Sequence, residues 1–267
     1  MMIWPMIAYG TAITNEAQYE QFAQAGIAQA TEPGALVMTR RGKSLQRAYN
    51  EMLDQAAGYE DLEAVVLPHQ DMRIDVGDFS LKLRELLADE SIALLGSSGG
   101  RGGRGLAWWD GAELLGWFGA LIHDHLVVIG ERPARVYDVD AIDGTLLIFS
   151  SWAAHNLRFD LRFERDFHGY DTDISFQARA LGRRVVVADL WCVHDSLGKI
   201  GTRRGSWVRA SLEFDRKWGT ATEAGKGSGP NRHPRSTESV WDRIEADTAV
   251  EMEKRLGMTP GSGEMRS

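Results

Sequence analysis

Residues 62–71 read LEAVVLPHQD, an apolar run that ends in proline and is followed directly by three polar side chains. A short apolar run of this kind, closed by Pro68, is typical of a buried strand in a parallel sheet. In open α/β sheets, ligands bind beyond the carboxyl ends of the strands. The stretch therefore predicts a buried strand and, in His69, Gln70 and Asp71, a place to look for chemistry.

Apolar strand candidates and helical patterns alternate on both sides of this stretch. Ser44 is placed to cap a helix that continues through Ala56, and Asp78 is placed to cap the next one. Repeated alternation of strand and helix predicts an α/β domain with a doubly wound, mostly parallel central sheet and flanking helices. The other elements predicted in this part of the chain are strands at 4–14, 36–39 and 91–95 and a helix at 15–30.

The second half of the chain is less regular and predicts a smaller, irregular half of the domain. Residues 96–105 read GSSGGRGGRG, which predicts a flexible loop. Further predicted elements are a pair of strands at 126–129 and 134–139, strands at 145–149 and 184–193, and helices at 171–181 and 207–218. The predicted organisation is a domain over residues 1–219, a linker over 220–236, a C-terminal helix over 237–257 and a disordered tail over 258–267.

The composition is that of an ordinary globular protein and argues against some classes of partner. Hydrophobic residues make up 43% and charged residues 25% of the 267, so wholesale disorder is not expected. The net charge of −8 argues against binding to nucleic acid or to an anionic membrane. There is no basic leader and no run of about 18 apolar residues, so we expect a cytoplasmic protein without a membrane segment.

The segment His69-Gln70-Asp71 is the first candidate site. Mg²⁺ and Mn²⁺ are commonly held by one or two carboxylates, with substrate phosphates and water completing the shell, so Asp71 is a candidate metal ligand. An aspartate in this position is as often a turn or capping residue, and spacing alone does not separate the two interpretations. His194, at the end of the predicted strand 184–193, is a candidate second ligand and would favour Mn²⁺ over Mg²⁺.

Two further carboxylates, Asp171 and Asp173, lie at the start of a predicted helix. Either could act as a general base if it lay within hydrogen-bond reach of an attacking hydroxyl. Acidic residues at helix N-termini are also favoured by the helix dipole and by capping, and position alone favours that structural interpretation. The residues by themselves therefore leave both interpretations open.

Two glycine-containing segments complete the set of candidates. The Gly-rich loop carries Arg101 and Arg104 ahead of Trp109, and could be a lid that meets phosphate and stacks on a sugar or base. It could equally be a mobile surface loop. The pair Asp143-Gly144 predicts either a tight turn or the close approach of a ligand to the backbone.

Taken in chain order, these motifs resemble the family 2 glycosyltransferases of the GT-A fold, in the subgroup that shares a domain with a streptomycin-biosynthesis protein. The resemblance extends from about Ile7 to Trp218, and the order and separation of its segments are what make it specific. Those segments are Ala48-Tyr49-Asn50, His69-Gln70-Asp71, residues 139–144, residues 167–173 and His194-Asp195-Ser196.

The resemblance implies a role for each matching position. Asp71, at the last position of the family's Asp-x-Asp segment, would bind Mn²⁺ or Mg²⁺ together with His194. Asp171 would be the catalytic base, with Asp173 as the second choice. His69 stands where the family has Asp, so the contact with the ribose or donor sugar differs here. The donor would be held by Thr11, Ala12, Asn15, Asn50, His69, Gln70, Arg101, Trp109, Asp143 and Gly144.

The implied function is a metal-dependent, inverting transfer of a sugar from a UDP- or GDP-linked donor to a sugar, lipid-linked or small-molecule acceptor. Two alternatives use a similar scaffold: a nucleotidyltransferase that makes nucleotide sugars, and a non-catalytic nucleotide-sugar-binding protein. Nucleotidyltransferases usually carry a Gly-rich phosphate loop near the N-terminus, and this sequence has none there. The presence of both Asp71 and Asp171 argues against a non-catalytic binding protein. The C-terminal helix, with an apolar stripe, could join two copies of the chain in a homodimer.

Overall fold

The computed structural model describes residues 6–103, 105–122, 125–165, 167–195 and 204–222. The predictions for Arg104, for most of the linker, for the C-terminal helix with its homodimer and for the tail lie outside these residues. The elements of the first part are β1 (Met6–Ile13), α1 (Glu16–Tyr19), a π-helical turn (Glu20–Gln24), α2 (Ala25–Ala30), β2 (Val37–Arg41), α3 (Leu45–Ala56), β3 (Leu62–Pro68), β4 (Met72–Ile74), α4 (Phe79–Leu87), β5 (Ile92–Gly96) and β6 (Ser98–Arg101). After a 3₁₀ turn at Trp108–Asp110 come β7 (Glu113–Ile122), β8 (His125–Gly130), β9 (Tyr137–Asp138), β10 (Ala141–Ile142), β11 (Leu146–Ser150), α5 (Ser151–Asn156), a 3₁₀ turn at Leu161–Phe163, α6 (Tyr170–Ala180), β12 (Arg184–Val187), β13 (Cys192–Asp195) and α7 (Arg204–Thr222).

The central sheet has seven strands in the order β2-β1-β3-β11-β5-β12-β9. The strands β2, β1, β3, β5 and β12 run in one direction, while β11 and β9 run against their neighbours. The predicted α/β architecture with a mostly parallel central sheet is therefore confirmed, and β3 lies near its middle.

Both faces of β3 are buried, which explains its continuous apolar sequence. Val65 and Leu67 lie in the core cluster that includes residues of α3, α5 and α6. Ala64 and Val66 lie in the other cluster, with residues of α2, α4 and β7. None of these four side chains is accessible to solvent. A strand covered on both faces needs no polar alternation, so β3 is predictable from its composition and length.

A second sheet, in the order β10-β6-β7-β13-β4 with β8 paired to β7, contributes to covering one face of the first. Its strand β6 lies within the segment predicted as a flexible loop, and that prediction is wrong at Ser98–Arg101. A Cβ atom at Gly99 would lie 2.5 Å from the Ala141 carbonyl oxygen, and one at Gly100 would lie 2.0 Å from that of Trp108. These glycines permit close backbone packing, which the composition alone does not distinguish from flexibility.

The predicted strand 184–193 is wrong in its middle, because the chain leaves one sheet and enters the other there. β12 belongs to the central sheet, and β13 to the second. Between them, the Asp189 carboxylate accepts hydrogen bonds from Trp117 Nε1 and Lys82 Nζ, each 3.1 Å away. The predicted pairing of strands 126–129 and 134–139 is also wrong, since β8 pairs with β7 and β9 with β12.

The helix predictions hold with small corrections. Ser44 caps α3, and its side chain accepts a hydrogen bond from the Arg47 backbone N–H. Asp78 precedes α4 but adopts a left-handed conformation with φ 53° and makes no side-chain capping bond, so its predicted role is wrong. α7 continues to Thr222, past the predicted domain boundary. Along the described residues, no helix combines the length and the apolar character that crossing a bilayer requires.

Candidate active site

Asp71 and His194 come together because two strands of the second sheet pair with each other. β4 and β13 are antiparallel, and His194 lies opposite Met72 in the register. The Asp195 backbone N–H donates to the Asp71 carbonyl oxygen 2.8 Å away, which extends the pairing by one residue. The two predicted metal ligands therefore stand side by side at the end of β3.

His69 joins this pair, so that one carboxylate and two imidazoles form a compact group. Asp71 Oδ1 lies 3.4 Å from His194 Nε2 and 3.9 Å from His69 Nδ1. One ligand atom from each residue lies within 4.8 Å of the other two. The sequence predicted His69 as a donor contact only. Its role as a third candidate ligand follows from the ring position, which spacing does not reveal.

The donor set of this group fits a divalent metal ion. Asp71 Oδ1 is buried and makes no hydrogen bond within the part of the chain that the structure describes. A buried oxygen left without a hydrogen bond costs about 1–3 kcal/mol, and a bound cation would remove that cost. Imidazole and carboxylate together suit Mn²⁺, while Mg²⁺ prefers oxygen ligands alone.

The charges of the three groups depend on one another. Burial raises the pKa of the Asp71 carboxyl, but the adjacent His194 and His69 rings outweigh burial and the net shift is downward. Burial lowers the pKa of His194, and Asp71 reverses this to give a net increase. Burial dominates at His69, whose pKa is lowered. The carboxylate is therefore ionised and ready to bind a cation.

The first turn of α6 lies beside this group. Gly169 precedes the helix with φ 87°, a left-handed conformation that favours glycine. Tyr170 follows, and its hydroxyl oxygen lies 2.6 Å from His69 Nε2. Burial raises the pKa of Tyr170 well above its usual value, so the phenol stays neutral. Tyr170 therefore links the candidate metal-binding group, which consists of His69, Asp71 and His194, to the helix that carries Asp171.

Asp171 is a partly buried carboxylate, and its hydrogen-bond donors among the described residues are backbone N–H groups. It accepts hydrogen bonds from Thr172 N–H at 2.8 Å and from Gly144 N–H at 3.2 Å. Burial, and to a lesser extent the nearby Asp143 carboxylate, raise the pKa of Asp171 to about 7. A carboxylate with this pKa can accept a proton near neutral pH, which is the property required of a general base.

Asp173 lies in the same helix but faces away from this arrangement. Its carboxylate is 1% exposed and lies 2.7 Å from Lys217 Nζ. It also accepts hydrogen bonds of 2.8 Å from Trp218 Nε1 and from Gln177 Nε2. These contacts tie α6 to α7 and leave the second candidate base among structural partners.

The sequence as a whole matches a known family. Residues 11–205 match the family described as "Glycosyltransferase like family". The chain belongs to this glycosyltransferase family. The streptomycin biosynthesis protein StrF of Streptomyces griseus is 31% identical over 215 residues, which cover 80% of this chain and 75% of that protein. The resemblance stated from the motifs is confirmed, and neither the nucleotidyltransferase nor the binding-protein alternative is favoured by these matches.

A solved structure has the same fold. The crystal structure of GalNAc-T7 with UDP, GalNAc and Mn²⁺ superposes on 97% of this chain with a TM-score of 0.54 and 10% identity. This chain spans 59% of the length of that one. The likeness concerns the fold alone, and it confirms the predicted GT-A architecture of this glycosyltransferase.

The residues predicted to hold the donor lie in several different parts of the structure. Thr11 is fully buried within β1, and Ala12 is half-buried near the end of the same strand. Asn15 caps α1 and accepts a hydrogen bond from Gln18 N–H. Gln70 Oε1 accepts from the backbone N–H groups of Thr14 and Asn15, at 2.6 and 3.0 Å. Gln70 therefore fixes the loop after β1, beside the metal-binding group.

Asn50, also predicted as a donor contact, is hydrogen-bonded to the backbone of Phe159. Its side-chain amide donates to the Phe159 carbonyl oxygen at 2.9 Å and accepts from the Phe159 N–H at 2.7 Å. Both polar ends of the amide are thus bonded to the backbone that follows α5.

Arg101 and Trp109 belong to the segment that the sequence left open as either a lid or a mobile surface loop. Arg101 lies at the end of β6, where its guanidinium bonds to the Asp138 carbonyl oxygen at 2.6 Å and to Glu113 at 3.0 Å. Trp109 packs edge-on against Trp108, with ring centroids 5.7 Å apart. These contacts join Arg101 to β7 of the second sheet and to β9 of the central sheet, and they hold Trp109 against its neighbour in the 3₁₀ turn.

Asp143 and Gly144 form a turn in direct contact with α6. The Asp143 carboxylate accepts a hydrogen bond from Thr145 N–H at 2.9 Å. A Cβ atom at position 144 would lie 2.1 Å from the Tyr170 hydroxyl oxygen. The sequence left a tight turn and the close approach of a ligand both open at this position. The structure has a turn here, and the Tyr170 side chain lies close to its backbone at Gly144.

Proposed function

We propose that this chain is a metal-dependent, inverting glycosyltransferase that moves a sugar from a nucleoside-diphosphate sugar to an acceptor hydroxyl. One observation carries the proposal: Tyr170 joins a metal-binding group to a candidate base. The Tyr170 hydroxyl lies 2.6 Å from His69 of that group, and the next residue is Asp171, whose pKa is raised to about 7. Such a transfer needs a metal ion to bind the diphosphate and a general base near it. The contact through Tyr170 brings the two candidate groups together.

His69, Asp71 and His194 would hold the ion. When bound, a divalent metal acts as a Lewis acid that neutralises charge on the phosphates of the leaving group. The fold neighbour GalNAc-T7 was solved with Mn²⁺ and UDP, which agrees with this choice of ion and ligand class. Between Mn²⁺ and Mg²⁺, the two imidazoles favour Mn²⁺.

Asp171 would act on the acceptor. Its oxygens each accept one backbone hydrogen bond, and a second lone pair on each remains available for an acceptor hydroxyl. The acceptor oxygen attacks the anomeric carbon while Asp171 takes the hydroxyl proton. The new carbon–oxygen bond forms as the bond to the diphosphate breaks, and the nucleoside diphosphate leaves. A single displacement inverts the configuration at the anomeric carbon.

The nucleoside would lie over the end of β1. Thr11, Ala12 and Asn15 lie at this strand end or in the turn after it, and Gln70 holds that turn through two backbone N–H groups. Because Gln70 lies between two residues of the metal-binding group, the turn and the ion site are held in a fixed relation. A donor whose diphosphate is at the ion would extend its nucleoside towards this turn.

The test is a thermal-shift titration with nucleotide sugars, with and without MnCl₂, followed by turnover of the best donor. A ligand that binds the native state raises the melting temperature by mass action. We expect one nucleotide sugar to raise it in the presence of Mn²⁺, and the rise to disappear in excess chelator and in Asp71→Asn. The product should be free nucleoside diphosphate with the inverted glycoside.

Asp75→Asn is the matched control for this experiment. Asp75 follows β4 and pairs with Arg73 at 3.7 Å, away from the three ligand atoms. It should behave as the wild type does. Donor binding by wild type that persists in excess chelator, or that is unchanged in Asp71→Asn in the presence of Mn²⁺, would contradict the metal site. A product with retained configuration would contradict the single displacement.

A further inference from the structure

The two ring nitrogens of His69 face two different partners. Nδ1 lies 3.9 Å from Asp71 Oδ1, on the side of the metal-binding group, and Nε2 lies 2.6 Å from the Tyr170 hydroxyl oxygen. In a neutral imidazole one nitrogen carries a proton and the other a lone pair. A metal binds only the nitrogen with the lone pair, so the partner of the other nitrogen decides whether His69 can serve as a ligand.

We propose that Tyr170 is a positioning residue that holds His69 in the metal-binding tautomer. The His69 Nε2–H donates to the Tyr170 hydroxyl oxygen, which leaves the Nδ1 lone pair directed towards Asp71 and His194. The inference rests on the metal site of the proposed function and adds to it the residue that controls one ligand. Tyr170 itself touches neither the ion nor the substrate in this role.

Tyr170 is rigidly placed for this contact. Its side chain is 5% exposed and packs against Phe159 and Phe167, with ring centroids 6.1 and 5.9 Å apart. The Phe167 ring also covers His69, at 5.7 Å between centroids. The aromatic cluster therefore fixes both rings of the hydrogen bond, and little rotation of either is available.

Gly144 provides the space that the hydroxyl needs. A Cβ atom at this position would lie 2.1 Å from Tyr170 Oη and 2.5 Å from the ring carbon that bears it. The same Gly144 donates its backbone N–H to Asp171 Oδ2 at 3.2 Å. Gly144 therefore contacts both the Tyr170 hydroxyl and the Asp171 carboxylate. These two contacts hold the turn before β11 against the start of α6.

The experiment is calorimetric titration of MnCl₂ into wild type, Tyr170→Phe and the control Tyr49→Phe. Tyr49 is also fully buried, and its hydroxyl makes no hydrogen bond to the described residues, so the control removes the same atom without a partner. Loss of an outer-shell partner of a metal ligand typically weakens metal binding about 10–100-fold. We expect that loss in Tyr170→Phe and a change below about twofold in Tyr49→Phe.

A second pair of variants tests whether Tyr170 affects Mn²⁺ binding through His69. In a His69→Ala background the ring that Tyr170 orients is absent, so adding Tyr170→Phe should weaken Mn²⁺ binding no further. An equal additional loss in that background would overturn the inference, as would unchanged affinity in Tyr170→Phe alone. Wild type that binds no Mn²⁺, in contrast, would remove the metal site of the proposed function and the inference with it.

A measurement of the tautomer in wild type completes the test and does not depend on comparing Mn²⁺ affinities. With diamagnetic Zn²⁺ bound, which imidazole nitrogens also ligate, long-range proton–nitrogen correlation NMR distinguishes the two tautomers of each histidine, and His69→Gln identifies the His69 signals. The expected result is a proton on Nε2 and none on Nδ1. A proton on Nδ1 in the metal-loaded protein would overturn the proposal.

Discussion

Asp171 and Asp173 are the same residue type on the same helix, and their surroundings differ completely. Asp171 is bonded to two backbone N–H groups, lies near another carboxylate, and has its pKa raised to about 7. Asp173 is surrounded by donors from α7, including the Lys217 ammonium at 2.7 Å and the Trp218 indole at 2.8 Å. Asp171 has no adjacent cation among the described residues, so it can exchange a proton near neutral pH. Asp173 is paired with a cation of α7, so it holds α6 and α7 together.

Helical geometry accounts for this difference. Residues two apart on an α-helix point about 200° apart around its axis, so one faces the turn at Gly144 while the other faces α7. A buried charged side chain is usually paired with an opposite charge. Side chains with strongly shifted pKa values occur most often at functional sites. The comparison therefore separates a candidate for chemistry from a candidate for stability.

The largest expected effect is on transfer in Asp171→Asn. A positioned base contributes about 10²–10⁴-fold in rate, and we expect a loss of that size in kcat with donor binding unchanged. Asp173→Asn should keep transfer within about threefold at temperatures where it is folded. Calorimetric titration with donor, beside a turnover assay, measures both quantities.

The opposite result for the two variants would contradict the assignment of Asp171 as the base. Full turnover in Asp171→Asn, combined with a loss in folded Asp173→Asn, would make Asp173 the base. A loss in both, with intact folding and donor binding, would mean that the first turn of α6 acts as a unit.

The next effect is on stability, in Lys217→Met. The change leaves Asp173 buried without its cation, although Trp218 and Gln177 still donate to it. It also removes the Lys217 ammonium from Asp160, 2.8 Å away. Breaking a buried pair by removing one partner costs up to about 3–5 kcal/mol, and the remaining donors reduce this to about 2–4 kcal/mol. We expect a fall in melting temperature of about 5–10 °C.

Arg216→Met is the matched control on the same helix. Arg216 is 65% exposed and pairs only with Glu213 among the described residues, so its removal should change the melting temperature little. Equal melting temperatures for the two variants would show that the Asp173 cluster does not hold α7 in place.

Much of this fold is readable from the sequence, and the failures have identifiable causes. β3 and the Ser44 cap are predictable from composition and capping chemistry. β6 is not, because the glycines that allow its close packing are the residues that typify loops. His69 and Tyr170 were missed as partners because their hydrogen bond joins residues 101 positions apart. Asp173 and not Asp171 lies beside a cation because of the way α7 packs. The sequence around Asp171 and Asp173 does not indicate this packing.

The smallest expected effect is a shift in pH dependence, and it tests the cause of the raised pKa of Asp171. A base acts when deprotonated, so kcat at saturating donor and Mn²⁺ should fall about tenfold per pH unit below the pKa of Asp171, which is raised to about 7 in the metal-free protein. Asp143→Asn removes a negative charge that helps to raise this pKa, while an Asn oxygen can still accept the Thr145 N–H. Its acid limb should therefore move to lower pH, by up to about one unit, because burial, the larger cause, remains. A limb near pH 4 in wild type would contradict the assignment of Asp171, and an unmoved limb in Asp143→Asn would leave burial as the whole cause.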